Sequence, residues 1–427
     1  MLERRDYQCE LVLRSPLHIG DGTWREDRLP PAEDGRPTQV AAIQRDHAGQ
    51  PWIPGSTLKG AFAALARAQG LAEAEALFGQ IKTDDSGQMG ALLLRGASLT
   101  GAGPTEGLPC AAGGVYVASR TAMDAGRGIA APNKLFHAEA VAPGARFALR
   151  LRLETQGDIA ALERAVLLLL GVFAGLEGVA IGKDQGSGQG RLQLLGQVSV
   201  TEWRARSGHL RPDKPRAVTP AAPPVVQGVT LRLVCDGPYL SRDPAWTADT
   251  RRARELEIGD KDLPHLRALR LKDAPVVTGQ AVAGALRARA SWLQAAALVA
   301  EGKPVPPPTD HLASIAAACR LTPQERLFGV TGFRGVLTVG VGATTRKGRA
   351  GMTSVKIDRF AGGGIDNALF SLDTDHGVGF DLTLTLDARA TDKDHRALKA
   401  LLADLRANGL TLGHGTSRGF GWFRVEG

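Results

Sequence analysis

A glycine-rich stretch that occurs twice constrains this chain more than any other feature. One copy, IGKDQGSGQGRLQL, covers residues 181–194, and the other, LGHGTSRGFGWFRV, covers residues 412–425. Each copy runs directly into an alternating strand pattern. Glycine permits positive φ and close approach of the backbone to a partner, and free N–H groups beside basic side chains suit a phosphate. A single glycine-rich turn is usually only a turn, but its recurrence predicts a duplicated phosphate-binding module.

Other landmarks repeat in the same order in the two halves. They are Gly55 with Gly279, Phe78-Gly79 with Phe328-Gly329, Leu135-Phe136 with Leu369-Phe370, and Gly190 with Gly421. Each half reads as strand, helix, strands, strand, helix, strand. This order predicts an α+β fold of two tandem ferredoxin-like or RRM-like domains. The Pro- and Arg-rich stretch 202–228 predicts a linker between a first domain at 1–201 and a second at 229–427.

Charge and cysteine usage limit the classes of function. The formal net charge is +8, from 52 Lys and Arg against 44 Asp and Glu. A polyanion partner such as nucleic acid explains this excess, and an Ala-, Gly- and Arg-rich genome explains it equally well. The cysteines lie far apart without CxxC spacing, which disfavours a zinc knuckle or a disulfide framework. No signal peptide or membrane-length apolar run is present, so we expect a cytoplasmic protein.

Several enzyme classes and one mode of RNA binding are disfavoured. The glycine-rich runs are neither Walker nor Rossmann loops, because each enters a strand and GxxxxGK[ST] is absent. No HxH or HExxH arrangement indicates a metal hydrolase, and we expect His18 and His137 to pack or bond locally. Aromatic residues make up only 5% of the chain and no RNP1-like segment occurs, so RNA would be bound through loops and backbone phosphates.

The segment WIPGSTLKG predicts the start of a helix. Pro54 and Gly55 break the chain, and Ser56 or Thr57 can serve as the N-cap. Lys59 in the first turn opposes the helix dipole, which makes sense if an anion binds there. A solvated lysine without a role is an equally good interpretation.

In this order, SPLHIG, WIPGSTLKG, LFG, VKIDRFAGGGIDNALF and LGHGTSRGFGWFRV resemble motifs of the RAMP superfamily of CRISPR-associated proteins. The chain is most similar to the backbone subunits of type III effector complexes, with two copies fused. The similarity covers nearly all of both halves except the linker and loop insertions. It implies guide RNA, complementary target RNA and other subunits of the complex as partners, and no membrane.

The resemblance also implies site residues. Guide-backbone contacts are expected at Gly55, Ser56, Lys59, Lys183, Gly188, Arg191, Gly415, Arg418 and Gly419. The second copy has Ala283 in the place of Lys59, and we expect Arg287 and Arg289 to compensate. Thumb hairpins that insert between guide and target bases are expected near 121–134 and 359–368, with Arg120 and Arg127 at the first and Arg359 and Ile365 at the second.

Many members of the family cut target RNA with an aspartate in a pattern like IGGIDNPVIRD. The stretch IGDKDLPHLRA at 258–268 resembles it and places Asp262 on that aspartate. Such a carboxylate could position a divalent cation, with Mg²⁺ the expected one, or help activate the adjacent 2′-hydroxyl. The first half has no aspartate at the matching place, and Asp34 and Asp27 are the nearby substitutes.

Two alternatives remain open at this point. The chain could be a purely structural RNA-binding subunit without a cleavage site. It could instead be a guide-processing endoribonuclease that acts without metal, for which His18 and His47 are the available acid-base residues.

Overall fold

The computed structural model describes residues 3–26, 29, 37–80, 87–124, 129–175, 178–206, 209–222, 228–258, 263–309, 311–312 and 314–426. Within these ranges, no helix combines the length and the apolar character needed to cross a membrane.

The first half contains, in chain order, β1 (Glu3–Leu13), β2 (Gly20–Glu26), β3 (Gln39–Ile43), β4 (Trp52–Ile53), α1 (Gly55–Ala68), α2 (Ala74–Phe78), β5 (Gly79–Gln80), β6 (Gln88–Met89), β7 (Leu92–Gly101), β8 (Val115–Asp124), β9 (Ile129–Val141), β10 (Arg146–Thr155), α3 (Ile159–Ala174), β11 (Val179–Ala180), β12 (Arg191–Arg206), β13 (His209–Pro212) and β14 (Arg216–Val218).

The second half contains β15 (Gly228–Tyr239), α4 (Ala248–Ile258), β16 (Arg270–Leu271), β17 (Ala274–Pro275), α5 (Gly279–Ala300), α6 (Pro323–Phe328), β18 (Leu337–Val341), β19 (Gly348–Ile357), β20 (Gly364–Leu386), α7 (Asp392–Asn408), β21 (Leu410–Thr411) and β22 (Trp422–Val425). Short 3-10 turns lie at Gln185–Ser187, Ile315–Arg320 and Thr416–Arg418.

The first half is built around strand β1. It pairs antiparallel with β10 on one side and with β12 on the other, in a sheet of order β11-β12-β1-β10-β7-β4. Alternate residues of β10, from Phe147 to Leu153, are buried, as the alternation in sequence predicts. Helices α1 and α3 pack on these side chains, and Phe62 of α1 stacks on Phe173 of α3 with ring centroids 4.9 Å apart. The core of the first half lies between this sheet and these helices.

Strand β15 holds the same central place in the second half. It pairs antiparallel with β20 and β22, in a sheet of order β18-β20-β15-β22-β21. Helix α7 contributes Leu398, Leu401 and Leu405 to the core, at the spacing of an amphipathic helix. Helix α5 adds Val282 and Leu286. Each half therefore combines helices with an antiparallel sheet, which confirms the mixed α and β prediction; the finer ferredoxin-like assignment stays a prediction.

Helix α1 begins differently from the prediction. It starts at Gly55, with Pro54 in the N-cap position and no side-chain cap hydrogen bond. The predicted caps, Ser56 and Thr57, lie inside the first turn. The equivalent helix α5 does have a side-chain cap, since the Thr278 hydroxyl accepts a backbone N–H of the first turn at 3.2 Å.

An antiparallel hairpin is present in each half near the predicted thumb. Strands β8 and β9 form the first, within a four-stranded sheet of order β2-β3-β9-β8. Strands β19 and β20 form the second. Because β20 runs on to pair with β15 and β18, this hairpin is a direct extension of the central sheet.

The segment predicted as a linker, 202–228, contains paired strands. Strand β12 continues to Arg206, and both β13 and β14 pair with it in antiparallel register. The guanidinium of Arg216 in β14 donates to Glu202 at 3.0 Å. The structure differs from the prediction here because this stretch extends the first sheet by backbone pairing with β12, although its composition is typical of an unpaired linker.

Candidate nucleic-acid interface

The two glycine-rich loops have the same backbone conformation. Each contains a 3-10 turn, Gln185–Ser187 in the first loop and Thr416–Arg418 in the second. Positive φ angles recur pair by pair, at Gly182 and Gly413 (77° and 86°), Asp184 and Gly415 (60° and 81°), Gly188 and Gly419 (74° and 82°), and Gly190 and Gly421 (69° and 65°). The predicted recurrence is therefore a recurrence of structure.

The last of these glycine pairs closes each loop. The Ile181 N–H donates to the Gly190 carbonyl at 3.0 Å, and the Leu412 N–H donates to the Gly421 carbonyl at 2.8 Å. A Cβ on Gly190 would collide with the Ile181 carbonyl oxygen, and one on Gly421 with that of Leu412. Only glycine fits at both places, since the φ angle is positive as well.

The first loop is packed against the second half. A Cβ on Gly188 would collide with the Val339 carbonyl oxygen of β18, and one on Gly279 at the start of α5 with the Ser187 carbonyl oxygen. Arg334 donates to Gln185 Oε1 at 3.0 Å. Gly188 is buried, so the RNA contact expected there does not fit its position. The lack of a side chain at Gly188 allows the two halves to pack closely at this point.

Two other residues that were expected to contact RNA, Arg191 and Arg289, lie against other residues of the protein. The Arg191 guanidinium lies beside Gly340 of β18, 3.6 Å from where a Cβ would be. Arg289 makes a bidentate pair with Asp404 of α7, with both N to O distances 2.6 Å, and lies over Trp292. The charge of Arg289 is thus neutralised inside the second half.

The second loop is open where the first is packed. Gly419 is exposed, and a Cβ placed on it would meet no atom of the described residues within 4 Å. Arg418 is also exposed. Burial lowers the pKa of His414, and the charges of Arg418 and Arg242 lower it further. The positive charge of this loop at neutral pH therefore comes mainly from Arg418.

In the first half, basic side chains lie over an aromatic ring at the base of the first hairpin. Lys183 Nζ is 5.5 Å from the centroid of Phe136, and the Arg120 guanidinium is 5.8 Å from it. Arg120 also pairs with Asp184 of the first loop. The neighbouring Leu135 is 60% exposed. A base could stack here while Lys183 contacts its phosphate.

The second half repeats this arrangement around Phe370. The Arg418 guanidinium is 5.8 Å from the centroid of Phe370, and the His265 ring is also 5.8 Å from it. The neighbouring Leu369 is 61% exposed, nearly the value of Leu135. We call these two places the Phe136 surface and the Phe370 surface. In the sequence, Phe136 and Phe370 stand out only as recurring landmarks, and their recurrence in a chain that also repeats a basic glycine-rich loop is the signal that points to them.

His265 has a defined hydrogen-bonding state. Its Nδ1 accepts the backbone N–H of Ser371 at 3.1 Å. A proton on Nδ1 would face that N–H, so the neutral ring carries its proton on Nε2. Burial, followed by the charge of Arg251, lowers the pKa of His265. The neutral ring can therefore donate one hydrogen bond, from Nε2, to a bound ligand.

The second hairpin ends in a turn with an exposed aromatic tip. Phe360 is fully exposed, and its backbone N–H donates to Asp358 Oδ1 at 2.7 Å. The backbone N–H of Ala361 donates to the same carboxylate, and the bonds from Ala361 and Phe360 together lower the pKa of Asp358. The predicted thumb residues Arg359 and Ile365 flank Phe360 on the two sides of the turn. In the first hairpin, Arg127 lies outside the described residues.

The beginnings of α1 and α5 present different side chains. Ser56 and Lys59 of α1 are exposed, as RNA contact would require, while Gly55 is half-buried. Arg287 of α5 is exposed and has no ion pair among the described residues. Of the two arginines expected to compensate for Ala283, Arg287 is therefore the available one.

The predicted catalytic aspartates Asp262, Asp34 and Asp27 all lie outside the described residues. Among the residues that are described, no group of three His, Cys, Asp or Glu side chains could hold a metal ion. His18 is buried and bonds locally, with Nδ1 2.7 Å from the Glu139 carbonyl oxygen, and His137 Nδ1 is 2.7 Å from the Ser119 hydroxyl.

Comparison with known proteins agrees with this duplicated arrangement. No curated protein matches the chain. The model of the RAMP superfamily matches residues 10–193 and 243–424, one stretch in each half. Both glycine-rich loops fall almost wholly within these stretches, and the family supports a CRISPR-associated, RNA-binding role. The chain belongs to the RAMP superfamily, with one RAMP region in each half.

Proposed function

We propose that this protein is a guide-RNA-binding backbone subunit of a type III CRISPR ribonucleoprotein. The observation that carries the proposal is the repeated arrangement of an aromatic ring that is at least partly exposed, a basic loop residue and a hairpin. It occurs at the Phe136 surface with Lys183 and at the Phe370 surface with Arg418. RNA would follow these two surfaces, with its phosphates near the basic side chains and its bases on the rings.

Binding of single-stranded RNA to the purified full chain tests this proposal. We expect the double variant Lys183→Ala/Arg418→Ala to bind more weakly, with a salt slope reduced by about 0.7 for each lost phosphate contact. Arg204→Ala is the matched control, because Arg204 is an exposed arginine paired with Asp213 at 3.0 Å, away from both rings. Equal loss in the control would mean that only overall charge matters. Absence of RNA binding by the wild-type chain would refute the function.

The packing of the first loop supports a role among several subunits. That loop covers β18 and the start of α5 in the following half. The second loop has the same conformation, and its exposed Gly419 leaves it free for another subunit. Other subunits of a type III complex would then be the protein partners. We expect Gly419→Trp to reduce incorporation into the assembled complex, as measured by co-purification with partner subunits.

Cleavage of target RNA at Asp262 is a further part of the proposal and rests on the family pattern in the sequence. A divalent cation, expected to be Mg²⁺, would supply charge stabilisation at the scissile phosphate. Asp34 and Asp27 would be the candidates in the first half. Asp262→Ala should remove one set of cuts from target RNA treated with the assembled complex. If all cuts persist, the chain is a non-catalytic subunit.

Guide processing without metal is the remaining alternative, and it has a simple test. The purified chain would be incubated with repeat RNA in EDTA. We expect no cleavage, because His18 is buried. Cleavage that is lost in His47→Ala would favour the processing enzyme instead.

A further inference from the structure

A polar cleft lies where the first glycine-rich loop meets the second half. Its volume is about 630 Å³. On one side it is lined by Gly182 and by Asp184 to Gly186 of the loop, and on the other by Arg287 of α5 and by residues that follow α6, among them Arg334. The volume suits a ligand of nucleotide size. We call it the junction cleft, and both halves are needed to form it.

The junction cleft carries excess positive charge. Arg287 and Arg334 make no ion pair within the part of the chain that the structure describes. Among the described residues of the lining, the one carboxylate, that of Asp184, is paired with Arg120. Although Arg334 is exposed on one side, burial of the rest of its side chain lowers its pKa, the nearby charge of Arg389 lowers it further, and the charge of Asp387 opposes this shift. An anion in the cleft would favour the charged form of Arg334 through its opposite charge.

The position of the junction cleft relates it to the Phe136 surface. Gly182, which lines the cleft, directly precedes Lys183, whose ammonium lies over Phe136. A strand of nucleic acid that contacts Lys183 could therefore continue into the cleft without leaving the protein. Guanidinium groups match the geometry of phosphate oxygens.

We propose that the junction cleft binds a phosphodiester segment of single-stranded RNA, with Arg287 and Arg334 as its phosphate contacts. This inference rests on the proposed RNA-binding function and adds a path for the RNA across the junction. RNA in the cleft would contact both halves at once.

Variants of Arg334 and Gln185 can separate the effect of charge from the effect of the junction contact, because one hydrogen bond joins these two residues across the junction. Arg334→Ala removes this bond and a charge, whereas Gln185→Ala removes the bond alone. Affinity for single-stranded RNA and its salt dependence would be measured on the full chain by fluorescence anisotropy. We expect Arg287→Ala/Arg334→Ala to bind about tenfold more weakly, with a salt slope lower by about 1.4 if two phosphate contacts are lost. Arg334→Lys should recover part of the slope, and Gln185→Ala should keep the wild-type slope.

Three outcomes would overturn the inference. The first is a wild-type salt slope in Arg287→Ala/Arg334→Ala, and the second is an equal loss of affinity in Gln185→Ala, which would assign the effect to the junction itself. The third is competition by adenosine monophosphate. If an equimolar amount of it removes the part of the RNA affinity that depends on Arg287 and Arg334, the cleft is a site for a free nucleotide. RNA binding that depends on Lys183 and Arg418 but not on the cleft would leave the proposed function standing. Thermal melts of each variant verify folding.

Discussion

At the residue scale, two equivalent glycines have different surroundings. Gly188 and Gly419 have φ angles of 74° and 82°. A Cβ on Gly188 would collide with the backbone of Val339, whereas one on Gly419 would meet no atom of the described part of the chain within 4 Å. Both positions require a left-handed conformation, which costs a non-glycine residue about 1 kcal/mol. The difference between them therefore isolates the packing between the halves.

We expect Gly188→Ala to reduce the free energy of unfolding by about 2 kcal/mol more than Gly419→Ala, because overpacking at a backbone oxygen forces the strand to shift. Urea denaturation of the two variants and the wild type measures this difference. Equal losses would mean that Gly188 is not tightly packed on β18 in solution. Gly419→Ala is the matched control for the φ effect alone.

At the element scale, the hairpin of β19 and β20 presents its apolar tip to solvent. Phe360 is fully exposed, and its side chain therefore contributes little to folding. An exposed aromatic residue at a turn held by Asp358 is suited to insert between bases.

We expect Phe360→Ala to leave the thermal midpoint of the protein unchanged within about 2 °C, since no buried contact is lost. The same variant should alter the contact with guide and target RNA paired in the complex, as measured by 2-aminopurine fluorescence beside the tip. An unchanged fluorescence signal would argue against insertion of this hairpin. Arg359→Ala separates a charge effect from the effect of the ring.

Some elements were predictable from the sequence and others were not. The loops at 181–194 and 412–425 were, because closely spaced glycines permit the positive φ angles that both loops contain. Strands β13 and β14 were not, since Pro and Arg in a short stretch are typical of linkers and the pairing with β12 depends on tertiary contacts. The packing of Gly188 on Val339 joins residues that are far apart in the chain, and a local pattern carries no information about such a contact.

At the scale of the whole molecule, several histidines have a lowered pKa in the folded protein. Burial is the main cause of a lowered pKa at His18, His137, His265 and His414. The unfolded chain takes up protons near the ordinary value of 6.5, whereas the folded chain takes them up only at lower pH. Stability should therefore be full above that value and decline as the pH falls below it.

We expect the free energy of unfolding to fall as the pH drops from 7 through the ordinary histidine value of 6.5, because the unfolded chain binds protons there that the folded chain does not. Urea denaturation at several pH values measures this decline. His18→Gln should make the decline shallower, because His18 is buried. A flat profile in the wild type would contradict the assignment.

The first loop lies against its neighbour and the second lies open, so the molecule has unlike ends. A contact in which the loop of one unit packs on a different surface of the next unit cannot form a dimer with two-fold symmetry. If copies or relatives of this chain line up through the open loop, every member must point the same way. Such an array would have a sense of direction, and a strand of RNA laid along it would be held with one polarity only.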